Sequence, residues 1–299
     1  NKVGQSDPEA LRNNVTQRVY ELGSTFKPIA MAGAIDAGVI TSLSKRYDAT
    51  APLQVGKYKI KDDHPMNRWL NVPETLVHSS NIVTARIADQ MGAKRMEAMF
   101  RRIGFYEPPY IELKEKGRPL VPGYWGRTTT MTTAYGHGIA VTPLQLASAY
   151  AALVNGGIWR PATLMKVEPG KAAKGRRVFS QYASDASRQM LRLIVTDGTG
   201  KKADVPGMRI GGKTGTAEKP SVGGYYGGDV AAPVFADVVG GALRLLAVAP
   251  DAPLDAPVDQ IPEFAPQREP GFDLPPEADA VPPTTIAQRG GSTAAQNGA

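Results

Sequence analysis

Glu21-Leu-Gly-Ser-Thr-Phe-Lys-Pro28 is the stretch on which the reading of this sequence turns. It opens a run, Ser24 to Ala37, that is rich in Ala, Ile and Met and halts at Gly38, which predicts a helix. Ser24 and Lys27 stand three residues apart; three helical steps rise about 4.5 Å and leave both side chains on one face. A serine hydroxyl is a poor nucleophile until a base takes its proton, and a lysine kept neutral by burial and neighbouring charge is such a base. Alone the pair says little. Ser42-Leu-Ser-Lys45 has the same spacing, and most such pairs are accidents on a solvated helix.

Two further elements, read outward from that stretch, change its weight. Ser79-Ser80-Asn81 opens another predicted helix and is the one Ser-x-Asn of the chain. A serine there can relay a proton and the Asn81 amide can hold a peptide by donor and acceptor together, although a serine in that place is also an ordinary helix cap. Lys213-Thr214-Gly215-Thr216 lies in the best strand candidate, Arg209 to Ala217, behind Gly211-Gly212. Lysine and threonine hydroxyls on a strand edge bind a carboxylate, and Gly215 lets a substrate backbone lie close; the plain alternative is a glycine-rich strand end. The three in this order, separated by 55 and 134 residues, are far rarer by chance than any one of them.

The rest of the chain frames these segments. Helices are predicted at Asn81 to Gln90, Ala93 to Ile103, Thr142 to Asn155 (a threonine cap followed by proline), Ser184 to Thr196 and Ala231 to Ala247. Other strand candidates are Lys57 to Lys61 and Thr163 to Val167. Of the 25 prolines, ten fall in residues 250–299 with eight acidic and two basic side chains, which predicts a Pro/Ala-rich acidic disordered tail after a domain spanning 1–249. Residues 1–249 then carry a net +13, read as a solvated basic surface, since no nucleic-acid motif accompanies it. The 299 residues, 42% apolar and 21% charged, exclude a collagen, a coiled coil and a wholly disordered chain. With no cysteine there is no disulfide or thiol nucleophile, and His64, His78 and His137 lack metal-ligand spacing, so neither metal nor cofactor is expected. No apolar run reaches the ~18 residues of a membrane span.

Ser24-x-x-Lys27, Ser79-x-Asn81 and Lys213-Thr-Gly215 in this order resemble the transpeptidase domain of penicillin-binding proteins, and in particular the class B enzymes of septal type. The resemblance extends through Tyr135 to Ala147, Ala151 to Gly157, the Leu11-Arg-Asn-Asn14 approach and Tyr225 to Phe235. It implies an α/β (α+β) fold of the penicillin-binding protein and serine β-lactamase type. It also implies a peptidoglycan D,D-transpeptidase that cross-links stem peptides through a serine acyl-enzyme and is trapped by β-lactams. By motif position Ser24 is the nucleophile and Lys27 its base. Ser79 passes a proton to the departing D-Ala, Asn81 holds the peptide and orients Lys27, and Lys213 supplies positive potential. Thr214 and Thr216 bind the terminal carboxylate, Gly215 gives access, Tyr135 borders the cleft, and the N–H groups of Ser24 and Thr216 form the oxyanion hole. The implied partners are D-Ala-D-Ala stem pentapeptides, β-lactams and cell-division membrane proteins including a glycosyltransferase. The implied location is the bacterial inner membrane, with the catalytic domain in the periplasm and the anchor outside this chain.

Against that pattern the chain reads as truncated and internally deleted. It begins after the family's first two strands, and only eight residues, Ala217 to Gly224, separate Thr216 from Tyr225, too few for two strands of ~5–6 residues and a turn. The expectation is a dominant helical subdomain and an incomplete central sheet of one or two short strands. Lys213 is still expected close to Ser24, with apolar surface of 24–37 or 231–247 partly exposed. Two alternatives remain open: an inactive remnant that binds division partners, and a serine β-lactamase or β-lactam sensor, against which Asn81 and Ser80 argue.

Overall fold

The computed structural model describes residues 11–221 and 224–251, the side chains of 217–221, 224 and 225 excepted. The nucleophile stretch is a 3-10 turn, Gly23–Phe26, that runs into α1, Lys27–Asp36. Every residue of α1 from Lys27 to Ile35 is buried, as its Ala-rich sequence requires of a helix with neighbours all round. Phe26, 0% exposed, anchors the turn from within: its ring meets Phe105 at 5.4 Å and Phe100 at 6.0 Å between centroids. Around α1 pack α2 (Val72–Val77), α3 (Asn81–Met91), α4 (Ala93–Arg102), α6 (Pro143–Val154) and α7 (Gln181–Thr196), while α5 (Arg127–Thr133) covers α3. A side chain at Gly33 would overlap the Met99 sulfur, so glycine there permits the approach of α4.

The expected helices form, with α7 starting three residues early because the Ser180 hydroxyl caps it at Ala183. The last helix, α8 (Gly227–Leu245), starts four residues early and contains Pro233. Of the two apolar helical surfaces, that of α8 is the exposed one: Val234, Val238 and Leu245 are 60%, 65% and 89% open to solvent.

No central sheet forms among the described residues. Eight short strands pair as four separate antiparallel ladders: β1 (Tyr47–Asp48) with β4 (Trp69–Leu70), β2 (Leu53–Val55) with β3 (Tyr58–Ile60), β5 (Ile158–Trp159) with β6 (Arg176–Arg177), and β7 (Thr216–Ser221) with β8 (Gly224–Tyr226). β7 pairs with β8 at Thr216 to Tyr226 and at Ser221 to Gly224, so the short stretch after the Lys-Thr-Gly motif holds this one ladder and no strand of a central sheet.

Two strand expectations are overturned. The strand over Arg209 to Ala217 starts only at Thr216, so Lys213, Thr214 and Gly215 lie outside any ladder. Its partner β8 turns into α8 at Gly227, whose Cβ position abuts the Gly215 carbonyl, so the ladder has nowhere to continue. The segment instead lines an apolar cavity of about 470 Å³ between the nucleophile turn, α6, α7 and α8. Thr163 to Val167 is irregular, because Glu112 takes the Thr163 hydroxyl and the Leu164 N–H (3.0 Å) that a ladder would use. The acidic tail lies outside the described residues beyond Asp251. The Pro250 side chain stands 3.6 Å from where a Gly207 Cβ would be, and the Asp251 carboxylate accepts the Arg209 N–H at 2.7 Å.

Candidate active site

Gly23 enters the nucleophile turn at φ +54°, a left-handed value suited to glycine, and the Thr216 carbonyl stands 2.8 Å from where its Cβ would be. Gly215 faces the Leu22 carbonyl and the Thr25 methyl equally closely, at 2.9 and 3.1 Å from its own Cβ position. The Lys213–Thr216 segment therefore lies against the Ser24 turn although it is not a strand. The Thr25 hydroxyl donates back to Leu22 O at 2.9 Å, and the Tyr150 hydroxyl donates to Thr25 O at 2.8 Å, so both ends of the turn are tied.

Lys27, the first residue of α1, is 0% exposed. Its ammonium donates to the Ser79 carbonyl at 2.5 Å and to the Ser79 hydroxyl at 2.9 Å. Burial holds its pKa well below the ordinary lysine value. The nearby Lys213 charge adds to that effect, while Asp62 and Asp63 oppose it. Lys213 is itself brought down to about 7 by burial, against the pull of Asp63; its ammonium folds back to Thr214 O at 3.0 Å. The Thr214 hydroxyl is shared with Thr199 at 2.7 Å.

Ser79 owes its position to the end of α2. Its N–H bonds Leu76 O at 3.2 Å and the Ser80 N–H bonds Thr75 O at 2.9 Å, the paired bonds that close a helix with a left-handed residue. Glycine normally fills that place; here Ser79 does, at φ +57°. A non-glycine residue in that conformation costs on the order of 1 kcal/mol or more and persists only because the surrounding bonds hold it there. The helix cap itself is Ser80, whose hydroxyl accepts the Val83 N–H at 3.1 Å, so the ordinary-cap reading applies to Ser80 and not to Ser79.

The other expected residues sort by contact. The Asn81 amide donates to Lys61 O at 3.0 Å and not to Lys27; Lys27 is oriented by Ser79. Tyr135 packs on the Met131, Ile82 and Ala85 cluster behind α3, and burial lifts its hydroxyl to about 12. His137 is exposed, with Nδ1 3.3 Å from Glu21. Sequence reasoning missed Asp62, Tyr150 and Gly136. The long stretch from Tyr135 onward turns out to clasp the nucleophile turn. Gly136 abuts the Gly23 carbonyl, Val141 and Tyr20 exchange backbone bonds at 2.9 and 3.1 Å, and Tyr150 holds Thr25.

Two lysines whose pKa values are depressed by desolvation, the buried Lys27 and the half-buried Lys213, make stability depend on pH. Between about pH 7 and the ordinary lysine value near 10.5 the unfolded chain binds more protons than the folded one, so stability rises with pH across that window. The melting temperature should be higher at pH 9 than at pH 7. Lys213→Met should flatten the slope, and an unchanged slope would contradict the burial described for this side chain.

Comparison with known proteins shows the family. A family model, the penicillin binding protein transpeptidase domain, matches residues 1–239. The chain is 42% identical over 222 residues to the probable peptidoglycan D,D-transpeptidase FtsI of Caulobacter vibrioides, covering 73% of this chain and 38% of that protein. It is 31% identical over 289 residues to the peptidoglycan D,D-transpeptidase FtsI of Escherichia coli K12, covering 84% and 48%. The chain thus spans less than half the length of either relative. Among solved structures it is similar to the transpeptidase domain of Burkholderia pseudomallei penicillin-binding protein 3, with TM-score 0.75, 31% identity and coverage of 81% and 84%.

Proposed function

Because this chain belongs to the class B penicillin-binding protein transpeptidase family, we propose that it carries the D,D-transpeptidase chemistry of peptidoglycan cross-linking in septal wall synthesis. The observation that carries the reading is the buried Lys27, depressed in pKa and bonded to the Ser79 hydroxyl, one turn from Ser24. In this reading the Ser24 Oγ attacks the penultimate D-Ala carbonyl while Lys27 takes its proton. Ser79 relays a proton to the departing D-Ala amine as the C–N bond breaks. An acceptor amine then displaces Ser24 from the acyl carbon and restores the hydroxyl. Asn81 holds the stem peptide, and Lys213, Thr214 and Thr216 meet its carboxylate or that of a β-lactam. The backbone N–H groups of Ser24 and Thr216 stabilise the oxyanion.

The test is the time course of labelling with a fluorescent penicillin. A stable adduct supports the transpeptidase, rapid turnover points to a β-lactamase, and no adduct points to a remnant that only binds division partners. The remnant reading has one observation in its favour. Lys213–Gly215 sit outside any ladder, and a constellation loose by ~1 Å can lose about 100-fold in rate. Labelling slower than that of the intact relatives is therefore the expected result.

Ser79→Gly supplies a second check. Glycine fits φ +57° without strain, so the variant should melt at the same temperature or higher, yet label at least ~100-fold more slowly for want of the relay hydroxyl. Equal labelling would remove Ser79 from the mechanism.

The proposal extends to context. Stem pentapeptides are the substrates and β-lactams the inhibitors. The domain works on the periplasmic side of the bacterial inner membrane beside a glycosyltransferase and other division proteins. Among the described residues no helix is long and apolar enough to cross a membrane. The tail read from residue 250 onward is proposed to lie outside the fold beyond Asp251; a chain ending at Asp251 should melt within a degree or two of the full chain, and a loss of several degrees would show that the tail docks.

A further inference from the structure

Three consecutive residues of the Ser79 turn hang from two consecutive residues outside every motif. Asp62 is 8% exposed; its Oδ2 accepts the Ser80 hydroxyl at 2.8 Å and its Oδ1 accepts the Ile82 N–H at 2.9 Å. The preceding Lys61 carbonyl accepts the Asn81 amide at 3.0 Å. β3 ends immediately before, at Ile60, a buried residue of the cluster that includes Ile82, so the hairpin fixes where Asp62 stands. A carboxylate against first-turn N–H groups of a helix is also favourably placed for charge. What it secures is an otherwise strained element. Ser79, one residue before Ser80, is held at φ +57° and makes both side-chain bonds of Lys27.

We propose that Asp62 is a positioning residue for acylation: through Ser80 and Ile82 it holds the hydroxyl and carbonyl of Ser79 against Lys27. This rests on the transpeptidase reading for its consequence in rate but not for its consequence on Lys27. The charges acting on Lys27 are Lys213, which favours the neutral amine, and Asp62 and Asp63, which favour the ammonium. Asp63 is exposed and Asp62 buried, so the Asp62 charge is the less screened of the two carboxylates. Removing it makes Lys27 lose its proton at lower pH while loosening the turn.

The experiment measures the rate of fluorescent-penicillin acylation against pH for the full chain and for Asp62→Asn and Asp62→Glu. Asp62→Asn should lower the maximal rate by about 10- to 100-fold, the effect of a misplacement approaching 1 Å, and should move the limb on which Lys27 deprotonates toward lower pH. Asp62→Glu keeps the charge and displaces the carboxylate by one methylene; it should lose rate with the limb in place. A merely structural role predicts a lower melting temperature and a labelled fraction reduced alike at every pH, with the limb unmoved in both variants, and that result overturns the proposal. Should the unaltered chain take no label, the transpeptidase reading fails. The Asp62 proposal is then decided by NMR titration of the Lys27 side chain, assigned with Lys27→Arg: a shift to lower pH in Asp62→Asn supports it and an unchanged titration overturns it. Should Asp62→Asn not fold, Asp62→Glu decides by its rate per folded molecule: a rate unchanged once normalised to the folded fraction overturns the proposal, and a normalised rate that falls with the limb in place supports it.

Discussion

Ser24→Ala will form no covalent adduct with penicillin, while Ser42→Ala will label as the unaltered chain does. Both serines precede a lysine by three residues, so the sequence spacing alone does not choose between them. Their surroundings do. Lys27 is fully buried, depressed in pKa, and joined to a second hydroxyl at 2.9 Å. Ser42 is half-buried and paired with the Ser44 hydroxyl at 2.7 Å, and Lys45 turns away to the Val39 carbonyl at 3.2 Å and over the Tyr47 ring. An amine in water stays protonated at neutral pH and is no base; one desolvated beside another cation is. Removing the nucleophile of a serine acyl-enzyme removes a factor of ~10⁶, which in a labelling experiment is the whole signal. Mass spectrometry after a long incubation reads both variants. An adduct persisting on Ser24→Ala, or lost from Ser42→Ala, would sink the assignment. Lys27→Met should fall nearly as far as Ser24→Ala, and the double variant no further, since the two act as one unit.

What the sequence made legible was local, and what it hid depended on distant chain. The helix of Lys27–Asp36 reads from composition because a helix buried on all sides must be apolar throughout, and α6 reads from Thr142-Pro143 because that cap acts within four residues. Two helices escaped for opposite reasons. α2 carries its own signature: the Asn71 side chain accepts the Glu74 N–H and Glu74 returns the bond to the Asn71 N–H, both at 2.9 Å, and the pattern Asn-Val-Pro-Glu announces it. α5 has no such signal. Arg127 to Thr133 is mostly threonine, a poor helix former whose Thr130 and Thr133 hydroxyls bond carbonyls four residues back, and it is held by the burial of Thr130, Met131 and Thr133 against α3. The strand at Lys213 was mistaken because a ladder belongs to two segments, and the partner segment turns helical at Gly227. Within the site, the residues bearing chemistry were legible from their types and order. Asp62 was not, since a carboxylate that holds a turn from 18 residues away leaves no spacing to read.

The clasp around the nucleophile turn leads to the second large effect. Gly136 and Gly138 have nearly the same backbone, φ +81° and +79°, and alanine at either should lose about 1–2 kcal/mol for the left-handed conformation alone. They differ in what a methyl group would meet. At Gly138 nothing stands within 4 Å, whereas at Gly136 the added carbon overlaps the Gly23 carbonyl and carbonyl carbon, backbone that cannot step aside as a side chain can. The Thr216 carbonyl stands 2.8 Å from where a Gly23 Cβ would be, so the Lys-Thr-Gly segment also lies close against the turn and limits how far it can shift. Relief must come from shifting Ser24 relative to Lys27, whose bonds to Ser79 fix it from the far side. Gly138→Ala should therefore melt several degrees lower but label at a rate within about threefold of the unaltered chain, as a strained but distant loop allows. Gly136→Ala should melt lower still and label about 100-fold more slowly among the molecules that remain folded, because the reacting atoms are displaced by the order of 1 Å. Normalising the rate to the folded fraction at each temperature separates the two effects. Equal labelling by the two alanine variants would mean that Gly136 serves only the loop, and that the stretch following Tyr135 does not set the position of the nucleophile.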